Sequence, residues 1–404
     1  MAQAARGYPP GSIWRPVMTI EWKCSAGPTL GVEWEVQLVD ARTRMLRQDA
    51  GMVLAGLPGL LESGEHPKMR HELMQSTVEV VTGVCGTVAE AKADLALSLK
   101  DLQRIAEAQG MVIASSGTHA ISHWRDGKMA PSQRYAELVQ EIQWPSRRLQ
   151  TMAVHVHVGL RDQHRVMPII NALAVYLPHL LGLTASSPYW CGEDTGLAST
   201  RSVVFAALPH TGPPLGLPDW KAFEDYMAGQ LRAGTIRTIK EVWWDIRPHP
   251  DFGTVEVRIA DAVPTLREVG MLAALVQCLV HLFDTQLDRG YRLPSRSPWV
   301  IADNKWRATR YGLDANVVTN EAGATAPLRD EIYELVRDLE PVAWRLGCAE
   351  ELAVASEVLE YGASYERQRA VHSGEGDLTS VVDALVTEFA EDKFVLRGDG
   401  GHGG

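Results

Sequence analysis

Acidic, imidazole and guanidinium side chains recur at every second position within short apolar stretches of this chain. Between Gly31 and Asp40, Glu33, Glu35 and Gln37 alternate with Val32, Trp34, Val36 and Leu38. Glu79 lies between Val78 and Val80, and His155 and His157 interleave with Val154, Val156 and Val158. Asp245 and Arg247 alternate with Trp244 and Ile246, and Glu256 and Arg258 with Val255, Val257 and Ile259. Residues two apart on a strand stand roughly 7 Å apart on one face. Glu33 and Glu35 therefore suit two neighbouring cations better than one, since paired catalytic metals sit about 3.5–4 Å apart. Glu33, Glu35, Glu79, Asp245 and Glu256 would share one face, offset locally by Arg247 and Arg258. Buried carboxylates in that number call for bound cations. Oxygen-rich ligation with one or two imidazoles fits Mg2+ or Mn2+ better than Zn2+. One of His155 and His157 is expected to be a ligand and the other a hydrogen-bonding neighbour. Arginine beside a metal–carboxylate cluster binds phosphate or a substrate carboxylate bidentately. Metals and arginine around an anion describe phosphoryl transfer.

The alternation predicts five strands: Gly31 to Asp40, Thr77 to Val84, Ala153 to Leu160, Val242 to Arg247 and Gly253 to Asp261. Period two puts one sheet face on a core, with Trp34 inside it. Solvated strand faces carry Thr, Lys, Ser and Gln, whereas these carry Glu, His, Asp and Arg, which describes a polar cavity. Thr87 with Glu90 and Thr265 with Glu268 are capping boxes that open helices running to about Gly110 and Gly290. Val166 to Ala185 reads as a helix kinked at Pro178. Four more are expected at Leu328–Leu346, Ala349–Leu359, Ser364–His372 and Leu378–Phe394. Asn304 to Arg310 reads as a helix with a cationic face, Arg307 and Arg310 lying three apart. Asp251-Phe252-Gly253 is expected to be a hairpin turn rather than a kinase signature, because the other kinase motifs are missing.

Several function classes are excluded at this level. The 404 residues carry 39 Lys+Arg against 50 Asp+Glu, a net charge of −11, and such a surface repels nucleic acid. The five scattered cysteines contain no Cys-x-x-Cys pair and read as reduced thiols. No apolar run marks a signal peptide in the first 28 residues. The longest apolar stretch, Gly270 to Phe283, is shorter than the ~20 residues of a membrane span. A soluble, cytoplasmic protein without membrane contact is expected. Neither a P-loop nor a Rossmann glycine motif is present, so any ATP is held in another way.

Taken in order, these segments resemble the type 2 glutamate–cysteine ligase family of carboxylate–amine ligases. The matching motifs are Gly31-Val32-Glu33-Trp34-Glu35, Thr77-Val78-Glu79-Val80-Val81-Thr82, His155-Val156-His157-Val158-Gly159, Trp244-Asp245-Ile246-Arg247-Pro248 and Gly253-Thr254-Val255-Glu256-Val257-Arg258. Asn304-Lys305-Trp306-Arg307-Ala308, Arg310-Tyr311-Gly312-Leu313-Asp314 and Gly362-Ala363-Ser364 also fit. The resemblance implies an α+β, glutamine-synthetase-like catalytic fold, a curved, mainly antiparallel sheet funnel with helices outside. It would occupy residues 28–396 as one domain, between a flexible extension 1–27 and a disordered Gly-rich tail 397–404. It also implies ATP, Mg2+ (with Mn2+ as a substitute) and formation of a γ-glutamyl amide. By position, Glu33, Glu35, Glu79, His155 and Glu256 would bind the metal. Arg258 and Arg247 would act on the reacting anion. Asn304, Arg307, Arg310 and Asp245 would lie near the nucleotide. The acid would be L-glutamate or similar, and the amine L-cysteine or another. Relatives imply a homo-oligomer, although no feature of the chain shows one. Two other readings compete: a metal-dependent amide hydrolase using His155 and His157, and a non-catalytic nucleotide or γ-glutamyl sensor.

Overall fold

The computed structural model describes residues 19–25, 27–374 and 377–396. A seven-stranded antiparallel sheet frames the molecule. Its strands are β1 (Leu30–Asp40), β2 (Met69–His71), β3 (Thr77–Val81), β4 (Met111–Ala114), β5 (Val154–Gly159), β6 (Ile246–His249) and β7 (Thr254–Val257). Their order in space is β6-β7-β5-β1-β3-β2, with β4 paired to the later half of β1. The register sets the polar residues in rows. Glu33 lies opposite His155, Glu35 opposite Glu79, and Glu256 opposite both His157 and Arg247. The intervening residues Trp34, Val36, Val78, Val80, Val154, Val156, Val255 and Val257 are buried in the core, as the alternation predicts.

Helix α1 (Val88–Ala108) and the long α6 (Leu266–Asp288) belong to that core. Thr87 accepts from the Glu90 amide at 3.2 Å, while the Glu90 carboxylate takes the Gly86 amide, one residue ahead of the cap. At α6 the Thr265 hydroxyl accepts from the Glu268 amide at 3.2 Å and donates to the Glu268 carboxylate at 2.7 Å. Outside them lie α7 (Pro298–Tyr311), α8 (Leu328–Leu346), α9 (Ala349–Tyr361), α10 (Ser364–Ser373) and α11 (Leu378–Glu391). Shorter helices serve the site: α2 (Gln133–Ile142), α3 (Trp144–Arg147), α4 (Thr200–Phe205) and α5 (Trp220–Ala233). All five cysteines are free. Gln163–Thr184 and Leu266–Asp288 are each long and apolar enough to cross a membrane, the second longer than the sequence bounded it. In each, 78% of the apolar window is buried inside the protein, as in core helices.

Four expectations are corrected. The stretch from Val242 to Arg247 is not one strand. Trp243–Trp244 pairs in parallel with Thr211–Gly212, and the chain then crosses at Asp245 into β6. The strand from Thr77 ends at Val81, and Val84 is 86% exposed. The strand from Gly253 to Asp261 is regular only through Val257. Val166–Leu173 and Leu177–Thr184 are separate helices joined by a 3-10 turn. Pro178 sits in the first turn of the second, where its missing N–H leaves no hydrogen bond unmade. The expected turn at Asp251-Phe252-Gly253 does join β6 to β7, with Gly253 at φ +65°.

Of the flanks expected to be flexible or disordered, residues 1–18 and 397–404 lie outside the described residues. Residues 19–25 are anchored at two positions. Ile20 and Trp22 are buried, and the Trp22 indole donates to the Leu160 carbonyl at 3.1 Å. The Lys23 amide donates to the Pro250 carbonyl at 3.1 Å, and a Cβ on Gly253 would meet the Lys23 carbonyl oxygen at 1.4 Å.

Candidate active site

Glu33 is the centre of the polar face. Its Oε2 lies 3.0 Å from His155 Nδ1 and its Oε1 3.4 Å from His157 Nε2. His157 Nδ1 is 3.0 Å from the Thr254 hydroxyl, which leaves Nε2 buried without a hydrogen-bond partner and facing Glu33. Two groups of side chains bring their ligand atoms within 4.8 Å of one another: Glu33, Glu79 and His155, and Glu33, His157 and Glu256. The shared residue is Glu33. Two imidazole–carboxylate sets of this kind match the donor chemistry of Mg2+ or Mn2+.

The electrostatics agree with that fit. Burial opposes ionisation of Glu33, but His155 and His157 beside it outweigh this and hold the carboxyl well below the usual range. Burial, then Arg258, pushes the His155 ring down to about 4, so it is neutral and able to ligate. Burial also opposes a charge on His157, yet Glu256 and Glu33 raise its proton affinity. Glu79 is pushed well above the ordinary carboxyl range by burial and by the charges of Glu33, Glu72 and Glu35. Glu35 is pushed up to about 8 by burial and by Glu72. Carboxyls gathered this closely are relieved when a cation enters.

Both expected arginines are present and share one carboxylate. Arg247 Nε donates to Glu256 Oε2 at 2.7 Å, and Arg258 donates to Glu256 Oε1. Burial disfavours ionisation of Glu256, but Arg247 and Arg258 reverse this and keep it charged. Arg258 Nε is buried without a partner. A cavity of about 60 Å3 lies next to Arg258, among Glu35, Glu72, His155 and Arg201, with Leu73, Met74, Leu149 and Phe205 as apolar walls. Acids and guanidiniums around one cavity fit an amino acid carrying both charges.

Not every expected residue reaches this face. Asp245 sits at the break before β6, and both its oxygens accept from Lys305 Nζ at 2.8 Å. It is therefore neutralised apart from the glutamates. On α7, Asn304 clamps Val318 through both its amide groups. Arg307 pairs with Asp303 and the Asn316 carbonyl, and Arg310 with the Gly196 carbonyl. Of that helix's polar residues, Lys305 is the one that reaches towards Arg258, lining a cleft with Arg201, Asp245 and Arg258.

Three participants were missed in the sequence. Glu72 follows the three-residue β2, is half-buried, and has its pKa raised chiefly by desolvation. Arg201 on α4 donates to the carbonyls of Arg258 at 3.0 Å and Ile259 at 3.1 Å, fixing the chain just past β7. Asp261 lies 3.8 Å from Arg201 and accepts from Ser186, Ser187 and Ser199. A helical arginine and a buried aspartate carry no periodic mark.

The fold is α+β, and one face of its sheet carries two carboxylate–imidazole sets and paired arginines, a donor set suited to a cation beside an anion. A family model for glutamate–cysteine ligase family 2 matches residues 29–384. A protein of Thermobifida fusca named "Putative glutamate–cysteine ligase 2" is 61% identical over 372 residues, covering 92% of this chain and 93% of that one. A Frankia alni protein, "Putative glutamate–cysteine ligase 2-1", is 52% identical over 382 residues, 94% of this chain and all of that one. The crystal structure of the Francisella tularensis glutamate–cysteine ligase in complex with AMP superposes with a TM-score of 0.67 at 13% identity, covering 94% and 91% of the two chains. A bifunctional glutathione synthetase from Pasteurella multocida gives 0.66 at 14% identity, over 91% of this chain and 52% of that one. The chain belongs to glutamate–cysteine ligase family 2, and it is an enzyme of that type, an ATP-dependent carboxylate–amine ligase acting on small molecules.

Proposed function

We propose that the chain joins the γ-carboxylate of L-glutamate to the amine of L-cysteine or a similar small amine, with Mg2+ bound at the sheet face. A free carboxylate is a poor acylating agent. Its oxygen attacks the γ-phosphorus of ATP and ADP leaves, giving an acyl phosphate. The amine then attacks the acyl carbon, and phosphate departs with the C–O bond. Glu33, Glu79 and His155 would hold one metal, and Glu33, His157 and Glu256 a second, with Glu35 beside them. The metals would neutralise charge on the transferring phosphoryl group. Arg258 and Arg247 steady the anions of substrate and phosphate. Arg201 fixes Arg258 through its main chain, and Lys305 with Asp245 borders the same cleft. The contacts of Asn304, Arg307 and Arg310 add nothing to their placement near the nucleotide.

The observation that carries this reading is the single carboxylate, Glu33, common to two metal-competent sets within a family of ATP-dependent ligases. The test is ADP release with Mg-ATP and glutamate, offering amines singly and cysteine first. Glutamate- and amine-dependent ADP is expected, and Glu33→Gln should lower it at least about a hundredfold with an unchanged circular dichroism spectrum, as loss of a charged transition-state contact does. Full turnover by Glu33→Gln would refute the metal assignment. ADP that ignores glutamate would refute the acid.

A further inference from the structure

We infer that residues 131–148, which carry α2 and α3, form a gate over the cavity between Glu35, Glu72 and Arg258, latched by Arg237. The segment leaves and rejoins the body at the cavity's rim. Before it, the Ala130 amide donates to the Leu73 carbonyl and the Gln75 amide to the Lys128 carbonyl, both at 2.8 Å. After it, Leu149 and Thr151 line the cavity, as Leu73 does.

Helix α2 joins opposite edges of the sheet. At roughly 100° per residue, Tyr135 and Val139 share one face and Glu137 and Glu141 the other. The Tyr135 hydroxyl is 3.4 Å from both Glu72 Oε2 and the His71 carbonyl, at the β2 edge. Glu137 and Glu141 pair with Arg237, in the connection that leads to β6 at the other edge. The Arg237 amide is itself fixed by Glu241 at 2.8 Å.

The fastenings of α2 are few, while α3 beyond it is held by Trp144 against Trp124 at 6.3 Å, by Arg148 over Trp190 at 4.8 Å and by buried Ser146. Val139 is the one buried residue of α2. Arg237, Glu137 and Glu141 are about half exposed, and such pairs hold weakly. The α2–α3 junction is Gln143, a non-glycine residue at φ +62°, where strain favours a hinge. A helix tied as lightly as α2 swings about Gln143 without disturbing the core. The use of such a gate rests on the proposed ligase reaction, in which an acyl phosphate must be kept from water.

Arg237→Glu sets three carboxylates against a fourth, and adding Glu137→Arg and Glu141→Arg restores opposite charges. Hydrogen exchange over 131–148 is expected to quicken at least about fivefold in Arg237→Glu, with the core unchanged, and to return to normal in the triple variant. ADP released with glutamate but no amine, relative to that with cysteine, should rise and fall in step. Equal exchange in all three proteins would overturn the gate. Quicker exchange without extra ADP leak would overturn its role in excluding water. A wild-type protein that releases no ADP would instead refute the ligase reading, and the exchange comparison would still decide whether the gate exists.

Discussion

Glu33 touches two imidazoles and belongs to both metal-competent sets, so its loss differs in kind from the loss of a neighbour. An ion that binds only the folded state stabilises it, by about 2.7 kcal/mol at a hundredfold excess over Kd. Mn2+ is therefore expected to raise the melting midpoint of the wild type and of Glu79→Gln, the variant by less, and to leave Glu33→Gln unmoved. An equal rise in all three would place the ions elsewhere. Glu33, Glu35, Glu79, His155, Glu256 and the two arginines could be set on one face in the sequence because each alternates with apolar residues. Glu72 could not, because a three-residue strand is too short to show a period. Arg201 acts through main-chain carbonyls, and no sequence pattern records that kind of contact.

At the scale of elements, β1, β5 and β7 were readable because one apolar face joins the core that contains α6 and the other bears charge. The strand expected from Val242 to Arg247 failed for the same reason it looked convincing. Its alternation continues across a change of partner, from the parallel pair at Trp243–Trp244 to the main sheet at Ile246. Asp245 lies at that crossing and is held by Lys305 of α7, both largely buried. Removing one member of a buried pair strands the other's charge, at a cost of about 3–5 kcal/mol, whereas replacing both is far milder. Lys305→Met is thus expected to destabilise the protein by that order in urea unfolding. Lys305→Met combined with Asp245→Asn should recover most of it, and additive losses would show that the pair is not coupled.

Over the whole molecule, the helix caps at Thr87 and Thr265 and the outer helices from Leu328 onward were legible from local signals alone. Buried histidines set the acid limit. His179 is wholly enclosed, its Nδ1 unpartnered, and burial pushes its pKa down to about 4. The unfolded chain takes up that proton below about 6.5. Its contribution is therefore present above pH 6.5 and is lost as pH falls towards 4, on the order of 3 kcal/mol. His119, pushed by burial to about 3, acts in the same direction. The melting midpoint should fall across this window, and less steeply in His179→Leu; an identical slope would remove His179 as the cause. The packing of residues 19–25 also bears on where the protein can be cut. A chain shortened to Pro28, where the family resemblance begins, loses Trp22 from its place against Trp220 at 5.4 Å and uncovers the turn that aims Arg247 and Glu256. A chain beginning at Thr19 keeps both.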